Sequence, residues 1–339
     1  MLVDGFRTAL VLGGGNALGA YHLGVCEALL PEAKPDRVVG TSIGAAMGAI
    51  LVGNAPEARL DRMREFWEAV GLRDEAWTAF MPGPVRARWS NALGLGALLG
   101  GRRGLTRLRV PGVLSLLPGP LRDVSTQDHR PMAALLGRLV DWDRLNASPI
   151  RFTFASVDLG VGAIRWWDTR LERIGVEHIL ASTALPPLLP PVEIEGRLFW
   201  DGGLGANLPL DPVLGEALEG PTVIVASDLY APEGEPPESL DGSALRAQDL
   251  GFALQSRVRI DALERERALR REAHPQEPPA ILAHLILRPP SHQRALKSLD
   301  FSATAIAERV AQGRAGMAAL IPRLRAAPRD EALAILRPD

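Results

Sequence analysis

Several features are scarce or absent in this chain of 339 residues. Cys26 is the single cysteine, so the chain can form neither an internal disulfide nor a cluster of thiolate metal ligands. No uninterrupted apolar run approaches the roughly 20 residues of a membrane-spanning helix. The N-terminus has no cationic start followed by an apolar stretch and a cleavage site. We therefore expect a cytoplasmic protein that touches membranes, if at all, from outside.

Acidic residues are missing from one stretch, residues 82–122, although the whole chain has a net charge of −2 and 47% apolar residues. This basic segment carries ten leucines, Trp89 and seven arginines, namely Arg86, Arg88, Arg102, Arg103, Arg107, Arg109 and Arg122. Such a composition is typical of a peripheral contact with an anionic lipid surface or of a lid over an apolar pocket. The alternative is a Gly/Pro-rich excursion packed on the core with solvated arginines. Nucleic acid is not an expected partner, because only Trp89 could stack on a base.

A serine lies in the stretch Gly40-Thr41-Ser42-Ile43-Gly44. An apolar pair precedes this stretch and a run of small and apolar residues follows it, which predicts a strand, a sharp turn and a helix. Such an elbow raises the serine hydroxyl above the end of a sheet. We expect Gly40 and Gly44 where strand and helix cross closely, in positive-φ conformations that only glycine adopts without strain.

A glycine loop, residues 13–19, follows the predicted strand 7–12 and precedes a helix that stops before Pro31. Its backbone N–H groups lie near a helix N-terminus, where negative charge is favoured. A phosphate or dinucleotide cradle is one interpretation, but the Gly-x-Gly-x-x-Gly spacing and the Gly-Lys-Ser/Thr signature are missing. We favour an oxyanion hole, because the serine turn follows the next strand and parallel neighbours place their ends side by side.

The remaining pattern predicts one domain over residues 1–339, with the basic segment as an excursion or lid and residues 240–339 as a C-terminal helical extension with one strand. The predicted strands and hairpins cover 150–157, 163–167, 192–200, 222–227 and 281–287, and the predicted helices cover 56–70, 177–184, 243–273 and 302–320. Helix 243–273 is rich in charge and is interpreted as a solvated face. Pro322 is expected to end the last helix. Hairpin 192–200 delivers Asp201-Gly202-Gly203 to a loop.

Four motifs occur in a fixed order, and together they resemble those of the patatin-like phospholipases over residues 7–230. They are Gly13-Gly14-Gly15, Gly40-Thr41-Ser42-Ile43-Gly44, Ala181-Ser182-Thr183-Ala184-Leu185-Pro186 and Trp200-Asp201-Gly202-Gly203. The resemblance implies an α/β fold, a three-layer α/β/α sandwich with a mostly parallel central sheet. It also implies a Ser–Asp dyad, with Ser42 as nucleophile and Asp201 as base. The implied oxyanion hole consists of the N–H groups of Gly13, Gly14 and Gly15, and Gly40, Gly44, Gly202 and Gly203 support the motifs.

The glycine loop departs from the family pattern. Asn16-Ala17-Leu18 stand between Gly15 and Gly19, and the arginine or lysine that the family carries there is absent. Asn16 is the candidate for a substitute amide donor in the oxyanion hole.

An aspartate is a weak base in water, with a pKa of about 4. Asp201 would need desolvation, for which its apolar neighbours Leu198, Phe199, Trp200 and Leu204 are the candidates. The competing interpretation is a Ser-His-Asp triad, for which His292 is the least implausible of six histidines. No cluster has zinc-ligand spacing, so neither metal nor cofactor is expected.

Three functions fit these observations. The first is a serine hydrolase that cleaves fatty acyl esters of phospholipids or lysophospholipids through an acyl-enzyme. The second is an acyltransferase that uses the same dyad with an alcohol acceptor. The third is a catalytically inactive module that binds lipid or a membrane surface. The absence of a cation from the glycine loop is the feature that favours this third function.

Overall fold

The computed structural model describes residues 2–72, 81, 83–110, 112, 115, 123–290 and 296–337. The strands are β1 (Arg7–Leu12), β2 (Arg37–Thr41), β3 (Arg107–Leu108), β4 (Gln127–Asp128), β5 (Arg151–Asp158), β6 (Ala163–Asp168), β7 (Val192–Ile194), β8 (Arg197–Asp201), β9 (Thr222–Asp228), β10 (Ala280–Ile286) and β11 (Ala334–Leu336). The α-helices are α1 (Ala20–Leu29), α2 (Ile43–Val52), α3 (Arg59–Val70), α4 (Gly83–Gly100), α5 (Arg130–Leu139), α6 (Trp142–Ala147), α7 (Val176–Thr183), α8 (Asp211–Leu214), α9 (Leu240–Ala273) and α10 (Ala303–Arg325). None of these helices is both long enough and apolar enough to cross a membrane within the described part of the chain.

Six parallel strands form the centre of the main sheet, in the order β11-β10-β9-β1-β2-β5. The near-continuous apolar runs of β1, β9 and β10 are buried on both faces, as parallel strands covered by helices require. β6, β8 and β7 extend the sheet in antiparallel fashion.

Helices cover both faces of the sheet. Successive side chains of a strand point to opposite faces, so Leu10 and Leu12 join the large core under α1, α2, α3 and α10, whereas Ala9 and Val11 join the smaller core under α8 and α9. The predicted three-layer α/β/α sandwich with a mostly parallel sheet is therefore confirmed.

The pairing of β5 brings two strand ends together. One edge of β5 pairs with β6, and the other edge is shared by β2 and β8. Thr41, the last residue of β2, lies opposite Ala155, while Asp201, the last residue of β8, lies opposite Ser156, the next residue of β5. Because β2 runs parallel and β8 antiparallel to β5, the two strands approach head-on, and the residues that follow them meet.

The long helix α9 differs from its prediction as a solvated face. Ile260 and Leu263 pack against the sheet, and Arg267 is fully buried. The Arg267 guanidinium donates to Glu277 at 2.6 Å and to the Pro278 carbonyl oxygen at 2.5 Å. Helix α9 therefore has an apolar stripe and a buried ion pair that its charge-rich composition did not indicate.

The C-terminal region also differs from its prediction in two ways. Helix α10 passes through Pro322 and ends at Arg325, because Leu320 and Leu324 on either side of the proline are buried in the core. The expected extension with one strand instead contains two, since β11 adds to the outer edge of β10. The basic segment contains the 18-residue helix α4, which the sequence did not predict, and α5 and α6 were also missed.

Helices α1 and α10 cross in close contact. A Cβ atom on Gly313 would overlap the Tyr21 carbonyl oxygen, and one on Gly24 would overlap the Val310 carbonyl oxygen. Glycine at these two positions lets the two backbones touch. The C-terminal helix is thereby fixed to the helix that follows the glycine loop.

Candidate active site

Ser42 lies at the turn between β2 and α2 with a strained backbone, at φ 55° and ψ −123°. The elbow was predicted, but the positive φ was expected at Gly40 and Gly44, and the structure places it at the serine itself. The two glycines are needed for close approach instead. A Cβ on Gly40 would lie 2.6 Å from the Gly44 carbonyl carbon, and one on Gly44 would overlap the Leu12 carbonyl.

Asp201 is the last residue of β8 and faces Ser42. The Ser42 hydroxyl Oγ donates to Asp201 Oδ2 at 2.7 Å, and the two residues are only 8% and 3% exposed. The second carboxylate oxygen, Oδ1, accepts a hydrogen bond from the Gly203 N–H at 2.7 Å. Gly202 is also needed, because a Cβ there would overlap the Ala155 carbonyl. The structure thus brings together the two side chains that the sequence singled out.

Burial raises the pKa of Asp201 to about 6, while the hydrogen bonds from Ser42 and Gly203 oppose this rise. The sequence predicted desolvation by four apolar neighbours, and the structure supports only part of that set. Phe199 is buried and shares a face of β8 with Asp201, whereas Leu198 and Leu204 are more than 40% exposed.

Ser182 anchors the elbow. Its hydroxyl accepts a hydrogen bond from the Ser42 N–H at 3.1 Å and donates to the Ala155 carbonyl oxygen on β5 at 2.6 Å. The sequence identified the motif around Ser182 but gave this serine no role. Because its hydroxyl joins the strained turn to the sheet, Ser182 helps to hold the Ser42 backbone in place.

The glycine loop divides the four predicted oxyanion donors into two pairs. The Gly13 N–H donates to the Ser227 carbonyl oxygen and the Gly14 N–H to the Asn207 carbonyl oxygen, both at 3.0 Å. These two groups are engaged within the fold. The N–H groups of Gly15 and Asn16 donate to no residue that the structure describes. Gly15 and Asn16 are therefore the two predicted donors whose N–H groups have no described acceptor, and they stay candidates for the oxyanion hole.

Two buried polar side chains that sequence reasoning missed hold this loop. Asn207 Nδ2 donates to the Gly14 carbonyl oxygen at 3.3 Å. His22 donates from Nε2 to the Gly13 carbonyl oxygen at 2.9 Å, and its Nδ1 accepts from the Ser227 hydroxyl at 2.8 Å. Burial lowers the pKa of His22 to about 4, so it is neutral at physiological pH. Asn207 follows the Asp-Gly-Gly motif closely in sequence, and this proximity was the available signal.

Among the described histidines none bonds to Ser42 or Asp201. His178 contacts the Gly175 N–H, and His284 pairs with Asp228 at 3.1 Å. His292, the candidate for a triad, lies outside the described residues. The described residues also contain no group of three His, Cys, Asp or Glu side chains that could hold a metal ion.

Two buried arginines from distant parts of the chain contact the glycine loop. Arg102, from the basic segment, donates from Nη1 to Asn16 Oδ1 at 2.7 Å. Arg309, on α10, donates to the Ala17 carbonyl oxygen at 3.1 Å. The Asn16 side-chain oxygen is thus occupied. Sequence reasoning did not connect either arginine with the loop.

The basic segment contains no acidic residue, and three of its arginines pair with carboxylates from outside the segment. The pairs are Arg86 with Glu308 at 2.5 Å, Arg107 with Asp128 at 3.0 Å and Arg109 with Asp123 at 2.9 Å. Arg122 lies outside the described residues. The segment is therefore docked on the domain, at least through these arginines.

Comparisons with known proteins show which family the chain resembles. The family model described as patatin-like phospholipase matches residues 10–214. An uncharacterized NTE family protein of Mycobacterium tuberculosis is 30% identical over 210 residues, 62% of this chain and 46% of that protein. Lysophospholipase NTE1 of Yarrowia lipolytica is 25% identical over 250 residues, 71% of this chain and 14% of that protein. The chain therefore spans less than half the length of these two relatives.

Among solved structures, VipD from Legionella pneumophila aligns with a TM-score of 0.40 and 15% identity, covering 94% of this chain and 67% of that chain. The match to the family model includes the glycine loop, the serine elbow and the Asp-Gly-Gly turn, and it covers more than half of the chain. The chain belongs to the patatin-like phospholipase family.

Proposed function

We propose that this protein is a serine lipid acyl hydrolase in which Ser42 is the nucleophile and Asp201 the general base. The observation that carries the proposal is the 2.7 Å hydrogen bond from Ser42 Oγ to Asp201 Oδ2 in a buried site. A serine hydroxyl is a weak nucleophile until a neighbouring base takes its proton. Asp201 is the only described carboxylate bonded to Ser42.

The first step is acylation. Ser42 Oγ attacks the carbonyl carbon of the ester while its proton passes to Asp201 Oδ2. Burial makes the Asp201 carboxylate more basic than an aspartate in water, and this supports proton abstraction. The negative charge that develops on the former carbonyl oxygen is accepted by the N–H groups of Gly15 and Asn16. Asp201 then returns the proton to the leaving alcohol, and the acyl group stays on Ser42.

The second step is deacylation by the same groups. A water molecule gives a proton to Asp201 and attacks the acyl-enzyme, the oxyanion forms again on Gly15 and Asn16, and the fatty acid leaves. The proton on Asp201 returns to Ser42 Oγ. Each step therefore uses one carboxylate alternately as base and acid.

The proposed substrates are fatty acyl esters such as phospholipids and lysophospholipids. The family supports a lipid ester, and one relative is named a lysophospholipase.

Helix α4 supports contact with a lipid surface. It buries its small side chains, Ala87, Ser90, Gly94 and Ala97, and exposes its large apolar ones, Val85, Trp89, Leu95 and Leu99. The exposed positions fall within one face of the helix at spacings of four and six residues. Arg88 is exposed on the same face and would meet anionic headgroups. We propose that this face is the peripheral membrane contact.

An acyltransferase that uses the same dyad is the second candidate, because an alcohol that enters the site can replace water in the attack on the acyl-enzyme. Adding glycerol or a lysophospholipid to the reaction and searching for a new ester by mass spectrometry separates the two activities. A new ester formed faster than free fatty acid would favour transfer over hydrolysis.

The proposal is tested by hydrolysis of p-nitrophenyl butyrate and of lysophosphatidylcholine. We expect Ser42→Ala to lower kcat by about a thousandfold or more, since the dyad acts as a unit. The matched control is Ser256→Ala, which removes an equally buried hydroxyl that lacks a hydrogen-bond partner. This control should keep kcat within about twofold. Wild-type rates in Ser42→Ala would refute the proposal, and absence of activity in the wild type would favour a lipid-binding module.

A further inference from the structure

Arg102 is a buried cation without a described carboxylate partner. Its side chain is 6% exposed, and burial is the cause that lowers its pKa to about 10. The Arg102 guanidinium donates to two neutral oxygens, Asn16 Oδ1 at 2.7 Å and Thr106 Oγ1 at 3.3 Å. Burying an unpaired guanidinium costs free energy, so its presence beside the glycine loop needs a compensating interaction.

Asn16, which accepts the hydrogen bond from Arg102, has an unusual backbone conformation. Asn16 has φ 51°, in the left-handed region that non-glycine residues rarely adopt. Of the four predicted oxyanion donors, the Asn16 N–H and the Gly15 N–H are the two that donate to no described residue. A charge-assisted hydrogen bond to the Asn16 side chain therefore acts on the same residue that presents the proposed oxyanion donors.

Arg102 is itself held by a network of hydrogen bonds. The Arg102 N–H donates to the carbonyl oxygen and to Oγ1 of Thr106, and the Thr106 N–H donates to the Arg102 carbonyl oxygen, which closes a tight turn. Thr106 Oγ1 in turn donates to Gln127 Oε1 at 2.5 Å. Gln127 Nε2 in turn donates to the carbonyl oxygens of Ala97 and Leu98 at the end of α4. A buried polar network thus runs from α4 through Arg102 to the glycine loop.

We infer that Arg102 is a positioning residue for the oxyanion hole, and that it acts through Asn16. It fixes the left-handed backbone of Asn16, so that the N–H groups of Gly15 and Asn16 are directed at the developing oxyanion, and its unpaired positive charge favours that negative charge. The loop itself carries no cation, and Arg102 provides one from 86 residues further along the chain. The inference rests on the proposed function.

The experiment compares Arg102→Ala with Arg103→Ala, the same substitution at the adjacent exposed arginine. With p-nitrophenyl butyrate, a neutral and soluble ester, Arg102→Ala should lower kcat by about 10- to 100-fold, less than the loss of a direct oxyanion donor. KM should change by less than about threefold, because the interaction strengthens only as charge develops. Arg103→Ala should match the wild type.

Three further readouts distinguish positioning from a merely structural role. Ethylguanidinium added at millimolar concentration should restore part of the kcat of Arg102→Ala and leave Arg103→Ala unchanged. Arg102→Lys keeps the charge and should lose less activity than Arg102→Ala, and it serves as the test variant if Arg102→Ala does not fold. Asn16→Gly accepts the left-handed φ but removes the acceptor, so its effect and that of Arg102→Ala should not add in the double variant.

The outcomes separate this inference from the proposed function. If the wild type hydrolyses the ester and Arg102→Ala has the same kcat as Arg103→Ala, the role of Arg102 is refuted while the dyad stands. Additive losses in the double variant, or no rescue by ethylguanidinium, would also refute it. If the wild type hydrolyses no ester, both proposals fall together.

Discussion

The distinctive residue of this protein is Ser42, a serine with a left-handed backbone at the end of a parallel strand. Such strain is maintained only where surrounding contacts determine the conformation. Here those contacts are the Ser182 hydroxyl on the Ser42 N–H and the close crossing at Gly40 and Gly44. The arrangement directs one hydroxyl at Asp201 and leaves little freedom for another orientation.

The pH dependence of kcat/KM should follow the ionisation of the Asp201 carboxyl group. Only the ionised carboxylate can accept the proton of Ser42, and burial raises the pKa of Asp201 to about 6. We predict that kcat/KM for p-nitrophenyl butyrate falls about tenfold per pH unit below about 6 and is flat above it up to pH 8. The measurement is a pH–rate profile between pH 4.5 and 8, with stability monitored at each pH. An acid limb near pH 7 that disappears when a histidine is replaced would point to a triad instead.

Replacing the buried carboxylate should stabilise the protein at neutral pH. The pKa of Asp201 is higher in the folded chain than in the unfolded chain, where it is about 3.8, so the folded state binds the proton more tightly. The stability that this provides is complete below pH 3.8 and is lost as the pH rises through about 6. A shift of this size corresponds to about 3 kcal/mol.

Asp201→Asn is close in shape and carries no charge, so we predict a higher free energy of unfolding than the wild type at pH 8 and a smaller advantage at pH 5. Urea denaturation at the two pH values measures the difference. Asp211→Asn, at a partly exposed carboxylate, is the control and should show no gain. A less stable Asp201→Asn at pH 8 would contradict the assignment of burial as the cause of the raised pKa.

At the scale of elements, the contact between α1 and α10 depends on glycine. A Cβ on Gly313 would overlap the backbone of Tyr21, which cannot move without displacing the helix behind the glycine loop. We predict that Gly313→Ala lowers the free energy of unfolding by about 1–3 kcal/mol through overpacking. Gly251→Ala, on the exposed side of α9 with open space around it, should instead raise it by about 0.5–1 kcal/mol. Thermal and urea unfolding of both variants checks this, and equal effects would contradict the close crossing.

Most helices and strands could be predicted from the sequence where their apolar pattern matches the face that they bury in the fold. Hairpin β7–β8 lies within the predicted hairpin 192–200 and turns at Glu195 and Gly196, which have φ 50° and 76°. Helix α4 could not be predicted, because it is glycine-rich and buries small side chains while it exposes large ones, the reverse of the usual pattern. Helix α9 was predicted, but its buried face was not, because Arg267 is a buried arginine within a charged sequence.

At the scale of the whole molecule, the exposed apolar face of α4 predicts lipid binding. Trp89→Ser and Leu99→Ser together should lower binding to vesicles of mixed phosphatidylcholine and phosphatidylglycerol by about tenfold, because each exposed side chain contributes apolar area. The rate on soluble p-nitrophenyl butyrate should stay the same. The matched control is Leu269→Ser, at an equally exposed leucine on α9. Vesicle sedimentation measures the binding, and unchanged binding would contradict a lipid contact at α4.

Only those residues of the site that stand in recognisable motifs could be predicted from the sequence. Ser42 and Asp201 stand in short glycine-rich turns, so both could be identified, although nothing local shows that β2 and β8 meet on one edge of β5. The residues that shape the glycine loop come from far along the chain. Arg102 lies in the basic segment, and Arg309 lies on α10, beyond the residues that the family model matches. Long-range contacts of this kind leave no periodic signal in the sequence.

The central claim is that Ser42 is a nucleophile activated by Asp201, and reaction with a fluorophosphonate probe tests it most directly. The probe phosphonylates an activated serine much faster than an ordinary hydroxyl, and its adduct is stabilised by the same oxyanion donors as an ester. Mass spectrometry of the peptide that contains Ser42 should show one adduct in the wild type at pH 7.5 and none in Ser42→Ala. Asp201→Asn should be labelled at least about a hundredfold more slowly. Labelling of Asp201→Asn at the wild-type rate, or an adduct on another residue, would contradict the account.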